Sequence, residues 1–211
     1  MAGYQESLTA LAAGAVRQVV AAYLSFLDGL LTRDETVRYI ASAIAVANGR
    51  ARALADVAMA TEVMAQLGEA VPVQPLERVD DTERLIQAVT TIFDESEPEV
   101  VDLDTSTETT APAEPAPRVR VRLERLAKSE PLEQAADAAS EALAKTPQVT
   151  GWTRQLSANA CQLCRWWWRE GRIWPAEHPF QHHKGCACTP KPVVTDQIQE
   201  TRYTKKLKGI R

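Results

Sequence analysis

The stretch TRDETVRYIASAIAVANGRARALADVAMATEVMAQLG, residues 32–68, decides the fold class. It opens on Thr32-Arg33-Asp34-Glu35, a capping-box pattern. In such a box the Thr hydroxyl and the Glu carboxylate each take a backbone N–H that the first helical turn cannot satisfy. Val37, Ile40, Ile44, Ala47, Leu54, Ala58 and Met64 follow at helical intervals. Gly68 supplies a stop, with Pro72 and Pro75 soon after. The pattern predicts one long helix from about Arg33 to Leu67. Its small residues Ala41, Ala43, Ala45, Ala51, Ala53 and Ala55 leave room for a close neighbour.

Working outward, residues 4–31 predict a second long helix, with Leu8, Leu11, Ala15, Val19, Ala22, Phe26 and Leu30 on one face. Gly29 weakens its last turn. The short gap to Thr32 implies an antiparallel hairpin. Downstream, Asp80 or Asp81 can cap a third helix carrying Leu85, Ile86, Val89, Ile92 and Phe93. From 94 to 117 the chain is acidic, rich in Pro and Thr, and lacks periodic apolar residues, the composition of a flexible linker. A helical pattern returns near Arg118 with Leu123, Leu126 and Ala127. Pro131 is then placed to open a separate helix through Leu132, Ala135, Ala136, Ala139 and Leu143, ending before Pro147. The fold class expected is mainly α: an N-terminal helical region (1–93), an acidic linker (94–117), a small C-terminal helical module stapled by a Cys/His site (118–192) and a basic tail (193–211).

Charge divides along the same lines. Residues 1–93 hold 7 basic and 11 acidic side chains, net −4. Residues 94–117 hold 8 acidic and no basic ones, net −8, and residues 118–211 hold 17 basic and 9 acidic, net +8. The total of −4 therefore hides a basic C-terminal half. No run of about 20 uninterrupted apolar residues is present, which predicts no membrane span. No basic segment precedes an apolar stretch at the N-terminus, which predicts no secretory signal.

All four cysteines, all five tryptophans and all three histidines fall between Trp152 and Cys188. Cys161 and Cys164 are two residues apart, as are His183 and Cys186, with Cys188 a further donor. Two such pairs, each on a tight turn, predict a tetrahedral Zn²⁺ site of the Cys₃His type. Either Cys186 or Cys188 can be the fourth ligand. Two disulfides or a redox Cys-x-x-Cys pair are the competing readings. A reducing cytoplasm disfavours the first, and no βαβ pattern supports the second. Trp166, Trp167 and Trp168 cannot all face one side of a helix, and Trp152 and Trp174 are expected to complete a small core around the metal. No catalytic motif is recognisable. Ser157 is a lone hydroxyl near the cluster.

These features in order, an Ala-rich helical region, Arg125 to Leu132 (RLAKSEPL), Gly151-Trp152-Thr153-Arg154, Cys161-x-x-Cys164 and His183-x-x-Cys186-x-Cys188, resemble the MuF-like minor capsid proteins of tailed bacteriophages, in the form common among actinobacterial phages. The resemblance is closest over 118–192 and covers the N-terminal helices only by composition and order. It implies a structural virion protein, inside the head near the portal and in the host cytoplasm during assembly. Its implied partners are the portal protein and the major capsid or scaffolding protein, with packaged DNA reached through the basic half, and no membrane. Its implied roles are head assembly, DNA packaging or ejection. Some relatives carry the label of capsid maturation protease, but no catalytic constellation here supports that activity. A zinc-containing nucleic-acid-binding adaptor is the alternative that the C-terminal charge suggests.

Overall fold

A computed structural model describes residues 2–73, 80–95, 115–194 and 201–209. Its elements are α1 (Ala2–Leu27), α2 (Arg33–Leu67), α3 (Thr82–Asp94), α4 (Pro115–Lys145), β1 (Gly151–Gln155), α5 (Gln162–Trp168), β2 (Trp174–Pro175), β3 (Thr189–Val193) and α6 (Arg202–Leu207). The chain is mainly helical, with α2 as the spine. Helices α1, α3 and α4 all pack on it, and β3 reaches its C-terminal end.

The capping box forms: Thr32 Oγ1 accepts the Glu35 N–H, and Glu35 Oε2 accepts the Thr32 N–H at 2.9 Å. At the far end Gly68 is left-handed (φ 73°) and donates its N–H to the Met64 carbonyl, the αL way of ending a helix. The buried stripe begins as expected with Val37, Ile40, Ile44 and Ala47, then runs through Ala51, Ala55, Met59 and Val63. Leu54 and Ala58 lie on its flank and Met64 is exposed. A helix of 35 residues in contact with three others buries different faces along its length, which a single stripe does not anticipate.

Helix α1 ends at Leu27, short of Leu30, which is exposed. The Leu30 N–H bonds the Ser25 carbonyl and the Gly29 N–H bonds the Phe26 carbonyl, with Gly29 at φ 71°. That is a Schellman ending, and it turns Leu30 away from the apolar face. The segment Gly3–Leu27 also has the length and apolarity of a membrane span, although Gln5, Glu6 and Arg17 interrupt its apolar run. In the structure it lays Tyr4, Leu8, Ala12, Ala15, Val19 and Tyr23 into the protein core.

Helix α4 departs from expectation at Pro131, which lies inside one continuous helix instead of starting a second. An interior proline costs a helix about 3 kcal/mol. Packing on both sides of it offsets this: Leu123 and Ala127 before it and Leu132, Ala135, Ala138 and Ala139 after it are at most 4% exposed. The acidic segment is shorter than 94–117, because Asp94 closes α3 and Pro115 already belongs to α4; its remainder, 96–114, lies outside the described residues. Residues 195–200 and 210–211 of the basic tail are outside them too.

The C-terminal segment is not purely helical. Its strands form an antiparallel sheet in the order β2-β1-β3, with Trp152 opposite Trp174 and Pro192, and Arg154 opposite Pro190. Pro190 and Pro192 alternate on the edge strand β3, where the missing N–H faces away from β1. The Pro192 carbonyl points instead at α2 and accepts Gln66 Nε2 at 2.8 Å.

Two apolar clusters hold the fold. One joins Val19 and Tyr23 of α1, Ile40 and Ile44 of α2, Leu85 and Val89 of α3, and Leu123 of α4. The other runs from Leu8 of α1 and Met59 of α2 through Ala139 and Leu143 of α4 to Trp152, Phe180 and three of the cysteines. The regions 1–93 and 118–192 therefore share this core. Between α2, α3 and α4 lies a polar tie: Glu130, 8% exposed, accepts both Arg84 Nη1 (3.0 Å) and Nη2 (2.6 Å), and Asn48 Nδ2 at 3.4 Å.

Candidate metal centre

Cys161 stands at the N-cap of α5 in extended conformation and Cys164 follows within the first turn, so both sulfurs face one side. Across from them the chain turns at His183-Lys184-Gly185-Cys186. The Cys186 N–H donates to the His183 carbonyl at 3.0 Å, and Gly185 takes φ 74°, a conformation open to glycine at little cost. The sheet sets the two turns against each other, since β1 leads into the first and β3 leads out of the second.

The result is one cluster of all five sequence-derived ligand candidates. Cys161, Cys164 and His183 have their donor atoms within 4.8 Å of one another, and so do Cys164, Cys186 and Cys188. His183 Nε2 lies 3.2 Å from both Cys161 Sγ and Cys164 Sγ, and Cys164 Sγ lies 3.3 Å from Cys186 Sγ. His183 Nδ1 faces the Lys184 carbonyl at 3.1 Å, leaving Nε2 for the cluster. Cys164, Cys186 and Cys188 are buried and Cys161 is exposed.

The donor set fits a soft or borderline divalent cation: thiolates and one imidazole, no carboxylate. Zn–S bonds of about 2.3 Å imply tetrahedral S–S edges of about 3.8 Å, so the contacts at 3.2 and 3.3 Å need to open by at most about half an ångström. Cys164 is common to both groups of three. Backbone N–H groups aim at the other sulfurs: Ser157 N–H at Cys188 Sγ (3.3 Å) and Cys188 N–H at Cys186 Sγ (3.4 Å).

Burial pushes the Cys164 thiol up to about 12. Cys188 is held down at about 5 by hydrogen bonds from Cys186 and Ser157, and Cys186 is raised correspondingly by the same contact and by burial. The hydrogen bonds therefore favour the thiolate at Cys188 over its buried neighbours. A coordinating cation removes that preference, because it deprotonates its thiols outright.

The two other histidines serve elsewhere. His182 Nε2 meets Asp137 of α4 at 3.1 Å. His178 stacks on Trp174 (4.6 Å between centroids) and meets Thr201 Oγ1 at 3.1 Å, docking α6. Trp152 and Trp174 complete the core as expected, 1% and 9% exposed. The three consecutive tryptophans divide: Trp167 lies near the His183 ring (6.1 Å), while Trp166 and Trp168 are exposed. Ser157 Oγ lies 3.6 Å from Cys188 Sγ.

A cavity of about 760 Å³ opens beside the cluster, between α1, α4 and the two turns, with Arg17, Lys128 and Ser157 among its lining. Sequence reasoning missed Arg154, a buried cation close to the sulfurs. Its signal was the alternation Trp152-x-Arg154, which puts the arginine on the same strand face as a core tryptophan. No protein-family model matches the chain, and no curated protein or solved structure matches it either.

Proposed function

We propose that this is a structural assembly protein in which a zinc ion, held by four of Cys161, Cys164, His183, Cys186 and Cys188, locks the C-terminal sheet against the long helices. The observation that carries this reading is the convergence of all five donors inside a core shared with α1, α2 and α4. The metal chemistry supplied is structural: it crosslinks two turns that are otherwise 18 residues apart. The resemblance to MuF-like minor capsid proteins makes the assembly a phage head. The long helices then contact the portal and the inner shell, during packaging or ejection of DNA. Metal analysis of purified protein should find about one zinc per chain. Co-expression with portal and major capsid proteins should place the chain in isolated procapsids. A metal-free folded protein sinks the zinc reading, and exclusion from procapsids sinks the capsid reading.

A nucleic-acid adaptor is the second reading. Exposed Trp166 and Trp168 flanked by Arg165 and Arg169 favour it, because aromatic faces beside cations suit unstacked bases. It requires an affinity for single strands that falls steeply with salt. The basic run on α4 supports it less, since Arg120 pairs with Glu124 and Arg122 with Glu95.

A further inference from the structure

Arg154 is 2% exposed, in the middle of β1. A guanidinium is always protonated, so its charge is buried with it. Its Nη2 donates to the Gln181 carbonyl, while Nε and Nη1 are buried without a hydrogen-bond partner. Phe180 lies under the guanidinium at 4.1 Å and Trp167 at 5.2 Å, and Trp167 in turn lies against the His183 ring. Among the described residues no carboxylate pairs with it. The cluster is its neighbour: Arg154 stands opposite Pro190 on β3, two residues beyond Cys188, and the thiols of Cys164, Cys188 and Cys186 bear on its charge.

A buried cation with two free donors and no carboxylate needs an anion. We propose that Arg154 is the built-in counter-charge of a metal–thiolate centre, facing the sulfurs of the cluster and neutralising the charge left after the metal is bound. The inference rests on the cluster holding a divalent cation. Three thiolates and an imidazole around such a cation leave one negative charge, and the guanidinium cancels it. The aromatic pair explains the choice of arginine: a flat, weakly hydrated guanidinium stacks between rings where an ammonium does not. Arg154 is on this view a positioning residue, acting on the metal through its ligands.

The test uses the full chain and zinc in competition with a chromophoric chelator. Loss of an outer-shell partner typically weakens metal binding by about 10- to 100-fold. Arg154→Met should do so, and Arg154→Lys, which keeps the charge and loses the stacking, should recover only part of the loss. Leu143→Val, which alters the packing of the same core and leaves the charge and its aromatic platform in place, should stay within about threefold of the parent, below that range. With cobalt(II) in place of zinc, the thiolate-to-metal charge-transfer band should move to longer wavelength in Arg154→Met, as the sulfurs lose their neighbouring cation. Unchanged zinc affinity in Arg154→Met, or an equal loss in Leu143→Val, overturns the proposal. Should Arg154→Met fail to fold, Arg154→Gln, which keeps a donor and loses the charge, is judged by the same criterion. A parent protein that binds no metal overturns the zinc reading itself. A parent that binds zinc with indifferent Arg154 variants overturns only the counter-charge.

Discussion

Replacing Trp152 with alanine tests whether the C-terminal sheet and the long helices are one cooperative unit. Trp152 is 1% exposed. It stacks on Trp174 at 5.8 Å, meets Phe180 edge-on at 5.2 Å, and its Nε1 donates to the His178 carbonyl at 2.9 Å. Truncating a buried tryptophan costs about 3–5 kcal/mol, and the abandoned carbonyl adds about 1 kcal/mol. For a chain of this length each kcal/mol lowers the melting temperature by about 2–4 °C, so Trp152→Ala should lose roughly 10–20 °C. Trp152 belongs to the same cluster as Leu8, Met59 and Ala139, so the helices must share the loss. Far-UV circular dichroism, which reports the helices, and near-UV dichroism, which reports the aromatic core, should shift together in one transition. Trp152→Phe keeps most of the apolar bulk and should lose about 1–2 kcal/mol, mainly through the hydrogen bond. A variant whose near-UV signal collapses while its helices melt at the parent temperature would refute the shared core.

Three further outcomes follow from named contacts. Arg84→Met should cost about 2 kcal/mol in urea unfolding, reduced from the full value of a broken buried pair because the Arg84 side chain is 51% exposed. Adding Glu130→Leu should return much of that loss, and no return would show the carboxylate was never stranded. Gly29→Ala should cost about 1 kcal/mol, since φ 71° is left-handed, although the space for a methyl is open. His178 is held below its ordinary value of 6.5 by burial and then by the Arg172 charge. A depressed histidine contributes stability that is complete above pH 6.5 and is lost as pH falls through its folded value. Acidification should therefore weaken the docking of α6, read as faster proteolysis after Thr201, and His178→Gln should flatten that dependence. His182, raised by Asp137, works with the opposite sign, so the comparison between parent and variant is what isolates His178. Acid sensitivity unchanged in His178→Gln would count against the assignment.

The long helices were legible because their signals are local. Thr32 and Glu35 are one turn apart, Gly68 terminates by its own backbone freedom, and the apolar spacing of α1 and α3 needs no partner to be read. Pro131 was misread for the complementary reason. A local rule says that proline opens or breaks a helix, and only the neighbours of Leu123 and Leu132 can override it. The sheet was missed because nothing in Thr189-Pro190-Lys191-Pro192-Val193 looks like a strand until β1 is known to lie on one side of it and Gln66 on the other.

The candidate site divides along the same line. Its five donors come in short pairs, and a pair at fixed spacing states its chemistry within one turn of chain. What the spacing could not state is the charge balance of the cluster. Arg154 and Cys188 are 34 residues apart, and Arg154 in isolation reads as a surface charge on a polar strand. The antiparallel pairing of β1 with β3 changes that, because it carries Arg154 and the chain leaving Cys188 into the same buried layer. A charge enclosed in that way has to be answered by something of opposite sign, and among the described residues the acidic groups that bear on it are thiols of the cluster, with no carboxylate paired to it. The Cys/His cluster and Arg154 therefore belong to one arrangement, of which local spacing reveals the candidate ligands and tertiary structure the buried charge beside them.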